Sequence, residues 1–401
     1  MNILFLTLLD FNTFYERNIY CDLLREFIKN GDCVYCISPT ERRNEVQTHF
    51  EEDGHILKLK IGNTQKTNII EKGVSTVLIE PQFIKAIKKY FKGINFDLVI
   101  YSTPPITFVN AVKYVKKRYG AKTYLLLKDI FPQNAVDLGM MKKSGVKGLL
   151  YKYFRNKEKK LYAVSDKIGC MSQANADYVL KNNPEISAEK VEICPNSIEV
   201  TNEKLTPEQK TETRQKFNIP TDKTVFIYGG NLGKPQDIPF IIECLKANAE
   251  FDDRFFVICG TGTEYPKLKN YIDTEKPANV LLINGLPKNE YESFVGCCDI
   301  GLIFLDHRFT IPNFPSRLLS YMQKGMPVLA CTDPNTDIGK VITDGNFGRW
   351  CESNSTECFT EAVNTAVKAD IKSLGENAFN YLKENYTAEK GCNIILQFYN
   401  K

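Results

Sequence analysis

The chain has 401 residues, more than one core usually holds, so two domains are expected, each large enough to bury a stable interior. Its 43% hydrophobic and 25% charged residues are ordinary for a globular protein in water, and no stretch nears the 18 or so uninterrupted apolar residues of a membrane span. The formal charge of +4 conceals an asymmetry: residues 1–195 hold 30 Lys and Arg against 21 Asp and Glu, and the remainder holds 22 against 27.

The opening MNILFLTLLD lacks a basic flank and meets Asp10 early, so a first buried strand is expected rather than a signal peptide. Strand-like runs follow at 2–9, 33–38, 97–102, 122–128, 167–172 and 191–194. Helical patterns lie between them, such as 16–30 and 81–93, the latter with Phe83, Ile84, Ile87 and Phe91 on one face. This alternation predicts a parallel sheet covered on both sides, where ligands collect at the carboxyl ends of strands. Three such ends stand out. The first is Asp10-Phe11-Asn12-Thr13, before the helix that carries Glu16 and Arg17. The second is Ser102-Thr103-Pro104-Pro105, whose prolines are expected to start a helix at a position that needs no N–H. The third is Lys128 to Asn134, where Asp129 either caps the following turn or faces a ligand.

Residues 140–162 contain eight Lys or Arg and one acid, interleaved with Leu149, Leu150, Tyr153, Phe154, Leu161 and Tyr162. A basic amphipathic helix over 142–160 reads either as a contact with an anionic membrane surface or as a solvated helix whose apolar face packs on its own domain. The polar stretch 199–223, with Thr206-Pro207-Glu208 opening a short helix, is the expected hinge region. Thirteen cysteines scattered through apolar elements suggest a reducing cytosol rather than a disulfide framework. Cys33 and Cys36 fall inside one strand, three residues apart and so on opposite faces, and three histidines cannot build a histidine-rich metal site.

In the second half, VFIYGG leads into Asn231-Leu232-Gly233-Lys234, with a helix expected near Asp237. Glycines at such a turn let backbone N–H groups approach a phosphate, and a lysine adds a point charge. Gly260-Thr261-Gly262 follows at another strand end, with Glu264 opening a helix; a dinucleotide fingerprint would need a third glycine that is missing. Strands are expected within 279–287 and 299–306. Residues 309–333 then read as loop, helix, turn and strand, with Ser316 at the N-cap position and Arg317 on the first turn. That stretch is either an ordinary α/β crossover or a seat for a diphosphate. No Asp-x-Asp triplet occurs, which leaves a metal-clamped phosphate little support.

Taken together, these segments resemble glycosyltransferase family 4, a GT-B group of retaining enzymes that use nucleotide sugars. The family's donor segment reads roughly Glu-Gly-Phe, five residues, Glu-Ala-Met-Ala-x-Gly-x-Pro-Val-Ile-Ala. Here it is Pro312-Asn313-Phe314, then Ser320-Tyr321-Met322-Gln323-Lys324-Gly325-Met326-Pro327-Val328-Leu329-Ala330, with Pro312 and Ser320 in place of both glutamates. Pro315-Ser316-Arg317-Leu318 is similar to the Pro-Ser-Lys-Leu form of the branch that includes L-fucosamine transferases of surface-polysaccharide synthesis. Residues 129–140 resemble that branch's Asp-x-x-Pro segment on the acceptor side, and 191–197 resemble the family's Val-x-x-Ile-Pro-Asn-Gly exit from the first domain. Lys234 and Asp237 match the family's donor loop, whose arginine is Asn231 here, leaving Arg317 or Arg308 as the second cation. Residues 260–264 and 279–287 resemble the turns beside the nucleotide and its base.

The resemblance implies an α/β chain of the GT-B type, two Rossmann-like doubly wound parallel-sheet domains facing across a cleft. Residues 1–198 would be the acceptor domain, with a terminal helix 387–401 packing back on it, and 199–386 the donor domain. Lys234, Arg317 and Asp129 are the implied catalytic residues. Gly230, Asn231, Gly260, Thr261, Glu264, Leu286, Asn313 and Ser316 are the donor-side set, and Asp10, Asn12, Arg17 and Thr103 the acceptor-side set. Without the glutamates, Asn313, Asp306 or backbone groups are left to contact the sugar. The implied reaction is transfer from a UDP-sugar, with retention and without metal or other cofactor. Its acceptor would be a saccharide or polyprenyl-diphosphate-linked sugar of bacterial capsule or O-antigen synthesis. The expected place is the cytoplasm, peripherally on the inner face of the membrane, with no nucleic-acid partner. Two other classes stay open: a nucleotide-sugar 2-epimerase of the same fold, and a non-catalytic nucleotide-sugar-binding subunit, a reading that loss of both glutamates supports.

Overall fold

NILFL is apolar at every position after Asn2, and such a strand is stable only inside a sheet covered on both faces. In the computed structural model it forms β1 (Asn2–Leu6), with Ile3 to Leu6 fully buried. The structure describes residues 1–64, 67–202 and 204–401; the side chains of residues 69, 70, 146, 147, 288 and 289 lie outside that description, including Lys147 of the basic run. Two compact units result, Met1–Glu199 with Thr387–Lys401, and Val200–Tyr386.

In the first unit β1 is joined by β2 (Cys33–Glu41), β3 (His49–Glu51), β4 (Ile56–Ile61), β5 (Leu98–Ser102), β6 (Lys122–Leu127), β7 (Lys167–Cys170) and β8 (Val191–Ile193). Their order is β3-β4-β2-β1-β5-β6-β7-β8, and every pairing is parallel except β3 with β4. The order reverses between β1 and β5, the position where doubly wound sheets open a crevice. The terminal helix Ala388–Asn400, capped by Thr387, buries Cys392 and Ile395 in the same core as Leu23, Leu24 and Phe27 of the helix Ile19–Lys29.

Several local expectations shift. Strand β1 stops at Leu6 rather than residue 9, releasing residues 7–10 into the loop. Pro104 and Pro105 do not begin a helix, which starts at Val109. The helix expected from 81 runs over Ile69–Tyr90 and passes through Pro81, and β3 and β4 lie in a stretch where no strand was expected.

The second unit opens with the helix Pro207–Lys216, where Thr206 and Gln209 form a reciprocal capping box. Its sheet contains β9 (Thr224–Asn231), β10 (Arg254–Thr261), β11 (Val280–Ile283), β12 (Ile300–Phe304), β13 (Val328–Thr332) and β14 (Gly348–Glu352). All pairings are parallel, in the order β11-β10-β9-β12-β13-β14, the strand order of dinucleotide-type sheets. Here the order reverses between β9 and β12.

Candidate functional site

Strands β9 and β12 pair only at Phe226 with Ile300 and Ile227 with Gly301. Beyond Gly301 the gap is filled by Tyr321 from the short helix Arg317–Gln323. Its buried hydroxyl lies 3.0 Å from the Ile227 carbonyl and 3.2 Å from that of Leu302, and accepts from the Gly229 N–H at 3.3 Å. The ring packs so closely on Gly301 that a Cβ there would be 2.3 Å away. Tyr321→Phe is therefore expected to strand buried backbone groups and cost about 1–3 kcal/mol, read as a lower urea midpoint with unchanged slope.

Arg317 lies one helical turn before Tyr321, at the i, i+4 spacing that places both side chains on one face. Its guanidinium carbon stands 4.4 Å from the centre of the Tyr228 ring. It also covers Gly230, where an added Cβ would lie 1.7 Å from Nη2. Tyr228 and Gly230 are two apart in β9, so both point to the face that Arg317 occupies. Among the described residues no carboxylate pairs with this half-buried cation. Arg308, the alternative, is consumed: its guanidinium grips both oxygens of the fully buried Asp306. That pairing also removes Asp306 as a free sugar contact. Asp237, Asp306 and His307 each offer a ligand atom within 4.8 Å of the others, the one such trio among the described residues, but Arg308 already neutralises its buried member.

The loops after β9 and β10 interlock. Leu232 N–H donates to Thr261 O at 2.8 Å, Glu264 N–H donates to Leu232 O at 2.9 Å, and a Cβ on Gly260 would meet Gly230 O at 1.8 Å. Thr261 is exposed, and the turn holding Gly285 and Leu286 packs beside it, with a Cβ on Gly285 reaching Thr261 Cγ2 at 3.0 Å. Lys234 is exposed on the following turn, and among the described residues no acid pairs with it. Asn231 is exposed and donates its amide to Gln236 Oε1 at 3.1 Å, and as a neutral group it does not replace a cation. Glu264 is held by Lys267. Ser316 occupies the N-cap position, but its hydroxyl caps nothing because its backbone is already helical. Farther along, Asn313 Nδ2 and Asp333 Oδ2 are buried with no hydrogen-bond partner among the described residues. Burial pushes the Asp333 carboxyl up to about 6. Asp333, Tyr228 and Tyr321 were not among the expected site residues; the alternation of β9 and the i, i+4 relation to Arg317 mark both tyrosines, and nothing local marks Asp333.

At the switch point of the first unit, Asp10 is exposed and pairs with the buried Lys58 ammonium of β4. Asn12 is exposed, its N–H bound to Glu16 Oε1 at 2.7 Å, and Arg17 is half-buried. Thr103 is buried instead: its hydroxyl accepts from Lys128 and Asp129 N–H groups at 3.0 and 3.1 Å, so it positions Asp129 rather than facing an acceptor. Asp129 accepts from Asn134 Nδ2 on both oxygens, at 2.8 and 3.0 Å. Burial still raises its carboxyl to about 6. A raised folded-state pKa stabilises the fold below the unfolded value and loses that contribution as pH rises through about 6. Asp129→Asn is thus expected to stabilise the protein at pH 8 by on the order of 2 kcal/mol and to make little difference at pH 4, measured by urea unfolding.

Residues 209–381 match the family model described as glycosyl transferases group 1. A probable glycosyltransferase of Pseudomonas aeruginosa, WbjE, is 22% identical over 333 residues, 82% of this chain and 80% of its own. Among solved structures, sucrose-phosphate synthase of Thermosynechococcus elongatus superposes with a TM-score of 0.75 at 13% identity, covering 100% of this chain and 98% of the other. Anabaena HepE, solved in complex with UDP, gives a TM-score of 0.69 at 13% identity and covers 99% of each chain. The fold is GT-B, two α/β units built on largely parallel sheets, and the second unit carries the matched domain.

Proposed function

We propose that this chain, a GT-B protein with a glycosyl transferases group 1 domain, moves a sugar from a UDP-sugar to a saccharide or polyprenyl-diphosphate-linked sugar in bacterial surface-polysaccharide synthesis. The observation that carries this reading is the Arg317 guanidinium, which has no carboxylate partner among the described residues and is fixed over Tyr228 and Gly230 at the switch point of the second sheet. The complex of HepE with UDP and the likeness to WbjE support it. Departure of a nucleoside diphosphate builds negative charge, and a fixed arginine, Lys234 and the N–H groups of the glycine loop would stabilise it without a metal. Retention follows the family resemblance.

The purified chain, incubated with a panel of UDP-sugars and a polyprenyl-diphosphate-sugar acceptor in EDTA, should release UDP only when donor and acceptor are both present. A product formed from donor alone would instead identify an epimerase. The second reading, a donor-binding subunit without turnover, is favoured by Pro312 and Ser320 and by the engagement of Asp306 with Arg308. Tight UDP-sugar binding with no release under any acceptor would establish it.

No helix among the described residues is long and apolar enough to cross a membrane. The helix Gly145–Val164 divides its basic residues: Arg155 pairs with Glu158, Lys157 with Glu80 and Lys159 with Glu185, while Leu161 and Tyr162 are buried. Lys142, Lys143 and Lys152 are exposed beside the exposed Leu149, Leu150 and Tyr153. This part would rest on the cytoplasmic face of an anionic membrane, each lysine contributing about 1 kcal/mol. Exchanging the three lysines for glutamate should lower sedimentation with phosphatidylglycerol vesicles at least tenfold and leave sedimentation with neutral vesicles unchanged.

A further inference from the structure

A cavity of about 720 Å³ opens in the first unit beside the ends of β2 and β4, under the amino-terminal half of the helix Ile69–Tyr90. These are carboxyl ends of parallel strands, where ligands of such sheets gather. Ile61 forms part of its floor, and Val74 and Leu78, at i, i+4 on the helix, form its wall. Both wall residues are exposed, Val74 to 55% and Leu78 to 46%, an apolar surface that no part of the unit covers.

The polar groups of the cavity are unequal. Glu71 is saturated, accepting from Arg42 at 2.6 Å, from Asn63 at 2.8 Å and from Thr67. Lys60, half-buried at the end of β4, has no acid or carbonyl partner among the described residues. Gln82 Oε1 is likewise buried without a partner. Arg42 cancels Glu71, so among the described residues the cavity presents the Lys60 ammonium, without an acid partner, beside an open apolar wall. A half-buried ammonium keeps water on its open side, and an anion entering the cavity can replace that water with a charge-assisted hydrogen bond.

We propose that this cavity binds an amphiphilic anion, an apolar chain bearing a phosphate or diphosphate head, with the head on Lys60 and the chain along Val74, Leu78 and Ile61. This rests on the transferase reading only for the identity of the anion, and deepens it by giving the lipid part of the acceptor a site; the binding itself does not depend on turnover. The test is isothermal titration of the full chain with farnesyl diphosphate. Inorganic pyrophosphate, farnesol and phosphatidylglycerol vesicles serve as parallel probes, with no donor present. Farnesyl diphosphate should bind at least tenfold tighter than pyrophosphate or farnesol. Lys60→Ala and Leu78→Asp should each weaken it at least tenfold with native melting temperatures; Val74→Asp replaces Leu78→Asp if the latter melts early. Equal affinity for pyrophosphate, undiminished affinity in both variants, or association with vesicles alone would each overturn the proposal. Binding as expected in a chain that releases no UDP would retain this site while refuting the transferase, so the two ideas fail separately.

Discussion

Arg317→Ala is expected to slow sugar transfer by a factor of about 10² to 10³, the usual consequence of removing one fixed charge that meets developing negative charge. The melting temperature should barely move. The guanidinium makes no ion pair among the described residues, and its contact with Tyr228 at 4.4 Å is a cation–π stack worth about 0.5–2 kcal/mol, offset by relief of a half-buried charge. Arg317→Lys should recover only part of the rate, because an ammonium cannot lie flat on the tyrosine and present two donors to a diphosphate. Lys234→Ala should cost less, about tenfold, since that side chain is exposed and screened. Steady-state UDP release and calorimetric UDP binding check this together. Unchanged turnover and UDP affinity in Arg317→Ala would remove the donor site from this position.

The alternation of apolar runs and helical patterns carried the fold class, because a parallel sheet buried on both faces needs strands that are apolar throughout, as β1, β5 and β13 are. Strand ends were less legible. Thr7 to Leu9 continue the apolar pattern of β1, yet the chain turns there so that Phe11 N–H can reach Ser38 Oγ. Pro81 misled for a physical reason: proline favours the first turn of a helix and the residues before it, among them Gly73, Val74, Thr76 and Val77, are weak helix formers, yet Asn68 caps a helix that starts at Ile69 and runs through Pro81. The donor-side site was half-visible. The residues of the glycine loop could be named from their order alone, whereas the enclosure of Arg308 by Asp306 depends on how the chain folds after β12. The inward turn of Thr103 is of the same kind, set by the ends of two neighbouring strands.

The glycines of the two loops separate stability from binding, and two substitutions should show it with opposite signatures. At Gly260 an added Cβ would press on the Gly230 carbonyl at 1.8 Å, and backbone inside an interlocked pair of loops cannot give way. Gly260→Ala should therefore destabilise the second unit by roughly 3 kcal/mol, the upper range for overpacking, with a visible fall in melting temperature. At Gly230 the obstructing atom is Nη2 of Arg317, the far end of a flexible side chain, although a backbone φ of +130° adds strain for any residue with a Cβ. Gly230→Ala should displace the guanidinium from Tyr228, cost about 1–2 kcal/mol in stability, and weaken UDP binding nearly as much as Arg317→Ala. The double variant Gly230→Ala with Arg317→Ala should then bind UDP no more weakly than Arg317→Ala alone, because the methyl group would have no cation left to displace. Additive losses would mean that Gly230 contacts the nucleotide by itself, through backbone that a methyl group blocks. Non-additivity would place its whole effect on the arginine.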